Sequence, residues 1–258
     1  KNWDNWNTIV NSLQKTDDPI KIAMVGKYVT LVDSYVSVNE ALKHASASIG
    51  RSVDIDWIDS ETFNGNLNQL DNFDGVLVPG GFGTRGSEGI IDTATYTLEK
   101  NIPYLGICFG FQLAAIAFGR KMCSLENANS TEIITDTKNP IIDLLPEQKN
   151  EIDMGGSLRL GANEIKISQN SLAYKIYNSD KISKRHRHRY EFNTKYRDEF
   201  LKKGMIFSGE SDDGKRMEIL EIPTHKFFLG VQYHPEFNSR PGFPEDVFKT
   251  FVTVASQN

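Results

Sequence analysis

The chain has 258 residues, 39% hydrophobic and 24% charged, a size and balance that suit one elaborated globular domain and exclude wholesale disorder, a collagen or a coiled coil. Twenty-nine Lys and Arg against 34 Asp and Glu leave a net charge of −5, which argues against broad attraction to nucleic-acid backbones or anionic lipid. Two cysteines cannot build a disulfide framework at this length, so the composition fits a reducing compartment, and no apolar run reaches the roughly 18 residues of a membrane span.

The opening, KNWDNWNTIVNSLQK, sets Trp3, Trp6, Val10 and Leu13 at helical spacing and predicts an amphipathic helix ended by Asp17, Asp18 and Pro19. It reads either as a helix packed on its own domain or as a linker facing a neighbour. IKIAMVG (20–26) is a short β-rich run, followed by a helix over about 36–49 and a second strand, VDIDWI (53–58). A third, GVLVPGG (75–81), runs into a glycine-rich loop. A helix over about 88–100, a strand at 102–107 and a helix over 109–118 closed by Gly119 continue the alternation. Continuous apolar strands joined by short connections indicate an α/β fold with an open, doubly wound, mostly parallel sheet covered on both faces. Beyond Arg120 come added short strands, a hairpin signal at 212–214, a last strand at 226–233 and a final helix near 244–255. In such sheets ligands sit beyond the carboxyl ends of the strands, and candidate residues are sought there.

Gly106-Ile107-Cys108-Phe109-Gly110 lies where strand 102–107 meets helix 109–118 and copies a nucleophile elbow with sulfur in place of hydroxyl. Small neighbours are needed where strand and helix backbones approach, and the helix presents its N-terminal amides to the sulfur. Read alone, Cys108 is equally a small buried hydrophobe; Cys123 has no such frame. A thiol nucleophile needs a base, and Tyr233-His234-Pro235-Glu236 supplies one after the last strand, with Glu236 two residues on along extended chain, able to orient His234. His44 and His225 are read as solvated. The loop Pro79-Gly80-Gly81-Phe82-Gly83 can turn amides toward the sulfur, joined by the amide of Phe109. It lacks a phosphate-loop signature, as does Gly26-Lys27-Tyr28, and no Cys/His cluster has zinc spacing. In the run Lys184-Arg185-His186-Arg187-His188-Arg189-Tyr190, strand geometry sets the arginines on one face and the histidines on the other. Nucleic acid, a solvated strand and a small-carboxylate site remain open readings of it.

PGGFG, GICFGFQ, ENANSTE, MGGSLRLG, RHRHRYE and GVQYHPEF, in that order, with VGKYVTLVDSYVSVNEALKHA (25–45), resemble the glutamine amidotransferase domain of the CTP synthase family, a class I glutaminase with a flavodoxin-like fold. The resemblance implies a linker helix at 1–19 from a synthetase domain and an amidotransferase domain at 20–258. It implies hydrolysis of L-glutamine to glutamate and ammonia through a thioester, with Cys108 as nucleophile, His234 as proton relay, Glu236 as its orienter, and Gly81 and Phe109 as oxyanion donors. Gln112, Glu132, Arg189 and Tyr190 would hold the amino acid, and Arg159, in a lid spanning 154–161, is a candidate contact for GTP as activator. No metal or cofactor is expected in this domain; ATP and Mg belong to the synthetase domain, where the ammonia would aminate UTP to CTP. The setting implied is cytoplasmic, in a homo-oligomer, with no nucleic acid or membrane. CFGFQ departs from the common CLGMQ at Phe109 and Phe111, which bears on pocket shape. Two competing readings are a catalytically silent regulatory relative and a γ-glutamyl peptide hydrolase.

Overall fold

The computed structural model describes residues 3–14, 17–29, 31–63, 66–144 and 158–257. In chain order these form α1 (Trp3–Gln14), β1 (Ile20–Gly26), α2 (Val36–Ser48), β2 (Val53–Asp59), β3 (Gly75–Val78), α3 (Ser87–Lys100), β4 (Tyr104–Ile107) and α4 (Phe109–Lys121). There follow β5 (Ala128–Ser130), β6 (Asn139–Asp143), β7 (Arg159–Ile167), α5 (Leu172–Tyr177), β8 (Lys181–His188), β9 (Glu191–Phe192), α6 (Arg197–Lys202), β10 (Ile206–Ser211), β11 (Met217–Glu221), β12 (Phe228–Val231) and α7 (Asp246–Ala255).

The main sheet has nine strands in the order β2-β1-β3-β4-β12-β11-β10-β7-β8, and a small sheet has the order β5-β6-β9. From β2 to β12 the neighbours are parallel. From β12 to β8 they are antiparallel, so the added strands extend the sheet rather than cap it. The central parallel strands β3, β4 and β12 are apolar throughout because they are buried on both faces, whereas the edge strand β2 alternates, with Asp54 and Asp56 exposed. Alternation along β1 sends Ala23 and Val25 into one core, beneath α3 and α4, and Ile22 and Met24 into the other, beneath α2 and α7. Tyr104 and Phe228 face the first core, where their rings stack 4.6 Å apart, while Leu105 and Leu229 face the second.

Two local expectations change, those for the end of α4 and for His44 and His225. α4 runs through Gly119 to Lys121 instead of ending there; a Cβ on Gly119 would meet Phe200 and Ile141 at 3.3–3.4 Å, so this glycine serves close packing rather than termination. α1 packs on α2 with Ser12 buried, while the stripe of Trp3, Trp6, Val10 and Leu13 faces outward. His44 and His225 are half-buried rather than solvated: His44 Nδ1 meets Ser239 Oγ at 3.2 Å and His225 Nε2 meets the Thr97 carbonyl at 3.0 Å. The hairpin at 212–214 forms between β10 and β11, with Gly214 at φ +70° and its N–H donating to Ser211 at 2.8 Å. Among the described residues no helix is long and apolar enough to cross a membrane.

Candidate active site

β3, β4 and β12 are adjacent and parallel, so the segments leaving their carboxyl ends converge. Cys108 leaves β4 at φ 52°, ψ −95°, a region costly for a residue with a side chain, by about 1–3 kcal/mol. The surroundings hold it there. Its N–H donates to the Val231 carbonyl of β12 at 2.7 Å, and its own carbonyl accepts the first bond of α4, from Gln112 N at 3.2 Å. A Cβ on Gly110 would run into the Val78 carbonyl, and one on Gly106 would come within 2.7 Å of the Gly110 backbone, so both flanking glycines are sterically required. The buried Tyr104 hydroxyl donates to the Gly110 carbonyl at 2.9 Å.

His234 leaves β12 with its N–H donated to the Arg185 carbonyl at 2.8 Å. Its Nδ1 meets Glu236 Oε1 at 2.8 Å. The sequence argument reached this contact by the wrong geometry: Pro235–Asn238 form a 3-10 turn, not extended chain, and the turn brings the carboxylate back to the ring. Burial opposes charge on the ring, but the neighbouring Cys108 and the Glu236 carboxylate outweigh it and raise His234 from 6.5 to about 10. His234 Nε2 is buried and has no hydrogen-bond partner among the described residues. Cys123 is also buried, and burial pushes its thiol up to about 11.

The loop after β3 passes against both residues. A Cβ on Gly80 would lie 3.0 Å from His234 Cε1 and 3.8 Å from Cys108 Cβ, and one on Gly81 would lie 3.4 Å from the Phe109 ring. A cavity of about 790 Å³ opens here, within the range of small-molecule sites. Gly81, Cys108, Gln112, Glu132, Arg189, Tyr190 and His234 all contribute to its wall; Phe109 lies behind Gly81 and Glu236 behind His234.

Two proposed substrate contacts already have protein partners. Gln112 Nε2 donates to the Tyr190 carbonyl at 2.9 Å and to Gln232 Oε1 at 3.3 Å, and Glu132 Oε1 accepts from Gly83 N at 2.7 Å. Arg159 is outside this cavity. Its guanidinium pairs with Glu218 and lies 3.9 Å from Glu191, turned into the domain rather than toward a solvent-borne effector. Of the proposed lid, 154–157 lie outside the described residues.

Alternation in β8 exposes Arg185 and Arg187 and buries His186 and His188, as the pattern predicted. The two rings meet Nδ1 to Nε2 at 3.0 Å beside Glu191 and Glu218. Burial, then Arg159, hold both histidines far below their ordinary value; burial, then Glu218, push Glu191 up to about 8. His186, His188 and Glu218 bring potential ligand atoms within 4.8 Å of one another, but Arg159 and Arg216 beside them supply the positive charge a cation would bring.

Sequence reasoning missed Gln232, fully buried, whose Nε2 lies 3.8 Å from Cys108 Sγ. It also passed over Lys27, whose Nζ donates to the Phe82 carbonyl at 2.8 Å and to that of Gly83. A polar residue inside an otherwise apolar strand-end run, VQYH for Gln232 and VGKY for Lys27, was the available signal.

The sequence model of class-I glutamine amidotransferases matches residues 30–254. A CTP synthase of Staphylococcus haemolyticus is 49% identical over 254 residues, covering 98% of this chain and 48% of the relative. One of Pyrococcus abyssi is 48% identical over 254 residues, 98% of this chain and 47% of the relative. The chain thus spans about half the length of the curated relatives it matches. Among solved structures, the Trypanosoma brucei CTPS glutaminase domain with bound acivicin superposes with a TM-score of 0.87 at 34% identity, covering 93% of this chain and 94% of that one.

Proposed function

Because the chain belongs to the class-I glutamine amidotransferase family, we propose that it hydrolyses L-glutamine to glutamate and ammonia through Cys108, His234 and Glu236. The observation that carries this reading is the strained Cys108 elbow beside His234, whose Nδ1 is held by Glu236 at 2.8 Å. Cys108 Sγ attacks the side-chain amide carbon, forming a C–S bond, and the displaced electron pair rests on oxygen facing the amides of Gly81 and Phe109. Each such donor is worth roughly 2.7–4 kcal/mol in the transition state. As the oxyanion collapses, the C–N bond breaks and His234 gives the nitrogen a proton, releasing ammonia. Water, deprotonated by the same ring, attacks the thioester; the C–S bond breaks and glutamate leaves. Glu236 fixes the ring and stabilises its charge in both halves.

Arg189 and Tyr190 serve the amino acid's carboxylate, while Gln112 and Glu132 shape and hold the wall beside it. In the longer polypeptides of this kind the ammonia would go to UTP activated by ATP and Mg in a synthetase half, giving CTP, with GTP as activator and a cytoplasmic homo-oligomer as the working form. What supports this extension is identity near 50% to CTP synthases across almost the whole chain. Glutamine carrying 15N in its side-chain amide tests the core reading: the chain is expected to release labelled ammonia, and Cys108→Ala to release none. Release by Cys108→Ala at the parent rate would refute it.

A further inference from the structure

Lys27 directly follows β1, a strand that contributes no group to the proposed chemistry, and is only 3% exposed. A buried ammonium requires compensation. Here its partners are backbone carbonyls of the loop after β3: Phe82 O at 2.8 Å and Gly83 O. The Phe82 carbonyl belongs to the same peptide unit as the Gly83 N–H, which donates to Glu132 Oε1 at 2.7 Å. Because a peptide unit is planar and rigid, holding its oxygen from one side and its N–H from the other fixes its rotation. The loop needs that restraint. Gly80, Gly81 and Gly83 supply little steric preference of their own, and Gly83 sits at φ +77°.

We propose that Lys27 is a positioning residue for the oxyanion site: with Glu132 it clamps the Phe82–Gly83 peptide and thereby sets the direction of the preceding Gly81 amide relative to Cys108. Nζ also lies 4.1 Å from the centroid of the Phe109 ring, so one side chain touches the loop that follows Gly81 and the side chain of Phe109, the two residues assigned as oxyanion donors. The surroundings are tight: the Lys27 N–H donates to the Tyr35 hydroxyl at 3.3 Å, and Arg85 donates to the Lys27 carbonyl. Burial, partly offset by Glu132, lowers the ammonium to about 8, with Arg85 and Glu61 the other charges that act on it. This inference deepens the glutaminase reading, but its test does not require glutamine.

The test compares two reactions of Cys108. Acylation by p-nitrophenyl acetate passes through a tetrahedral oxyanion: the C–S bond forms, the C–O bond breaks, and p-nitrophenolate leaves with the electron pair. Alkylation by iodoacetamide displaces iodide at a saturated carbon and forms no oxyanion. Lys27→Met is expected to slow acylation at least about tenfold, and glutamine turnover roughly 10²–10³-fold, with alkylation within about twofold of the parent. Lys27→Arg, which keeps a cation there, is expected to recover part of the acylation rate. Glu132→Ala removes the other side of the clamp and is expected to show the same split with this ester, which carries no ammonium for a carboxylate to bind. Acylation within threefold of the parent in either folded variant, or acylation and alkylation falling together, would overturn the proposal. Should circular dichroism show Lys27→Met unfolded, Glu132→Ala decides. If the parent is acylated but does not hydrolyse glutamine, the substrate assignment fails and the clamp result stands by itself.

Discussion

Glu236→Gln removes one charge from the site while preserving its shape, and its size can be worked from the contacts. The bond between His234 Nδ1 and Glu236 Oε1, 2.8 Å long, is charge-assisted whenever the ring is protonated. Such bonds contribute about 1.5–3 kcal/mol against about 0.5–1.5 for a neutral pair, so the substitution forfeits about 1–1.5 kcal/mol, or about one pKa unit of support for the imidazolium. Ring titration followed by NMR is therefore expected to show the His234 midpoint falling from about 10 by about one unit. The sign for stability follows: a folded pKa raised above the unfolded value of 6.5 contributes stability that is complete below 6.5 and is lost as pH rises through about 10. The variant should lose that stability over a narrower window ending about one unit lower. Turnover depends also on the amide's orientation. Glu236 Oε2 is buried without a partner, so either the new oxygen or the new NH2 must occupy that position, at similar cost. Oxygen toward Nδ1 keeps the working tautomer and loses about tenfold; NH2 toward Nδ1 imposes the wrong one, worth roughly 10⁴ in comparable triads. At similar cost both orientations are populated and the productive one carries the turnover, so kcat is expected to fall roughly 10- to 10²-fold, with KM for glutamine little changed because Glu236 does not line the cavity. An unshifted titration midpoint together with kcat within threefold of the parent would refute the reasoning.

Cys108 should react with iodoacetamide far faster than Cys123 at pH 8, since burial holds the latter's thiol near 11; peptide mass mapping of the modified chain reads this directly, and equal labelling would count against it. Gly110→Ala places a methyl group against the Val78 carbonyl and is expected to lower stability by about 1–3 kcal/mol or more, seen as a reduced Tm, with acylation of Cys108 impaired even where the chain stays folded. Glu132→Ala should raise KM for glutamine and also lower kcat, because its carboxylate holds Gly83 N; a pure KM effect in steady-state kinetics would assign it to ground-state binding alone. GTP added to this chain should change glutamine turnover much less than it changes that of a full-length protein, because coupling requires a closed state that the effector binds preferentially. Full activation of the 258-residue chain by itself would locate the effector site wholly within it.

Legibility followed how local the deciding physics was. The centre of the parallel half was readable because strands buried on both faces, β3, β4 and β12, must be apolar throughout, and the elbow because only glycine fits at 106 and 110 beside Cys108. The buried and exposed faces of β8 were readable from alternation alone. What stayed hidden was set by distant partners. Trp3 and Trp6 mark an amphipathic helix, but periodicity does not say whether the stripe faces inward, and here it faces out. Arg159 shows no trace in sequence of the two glutamates that engage it, one in β9 and one in β11. Lys27 looked like the end of a failed phosphate loop; its role emerges only where β1 and β3 run side by side and their C-terminal loops meet.

The two halves of the sheet divide the labour of the site. The proposed nucleophile, base and oxyanion loop follow β4, β12 and β3, three neighbours of the parallel half, so strand pairing brings them together. Arg187, Arg189 and Tyr190 come instead from the end of β8, the outermost strand of the antiparallel extension. Sheet twist alone would carry that edge away from β4. It is brought back over the site by named contacts: the Arg185 carbonyl accepts His234 N–H at 2.8 Å, the Arg187 carbonyl lies 3.8 Å from Cys108 Sγ, and the Tyr190 carbonyl accepts Gln112 Nε2 at 2.9 Å. All three use backbone carbonyls of β8 and its extension, leaving the side chains of Arg187 and Arg189 to face the cavity. The same strand therefore closes the cavity through its main chain while its exposed-face residues line it, and its buried face carries the paired rings of His186 and His188, which meet at 3.0 Å.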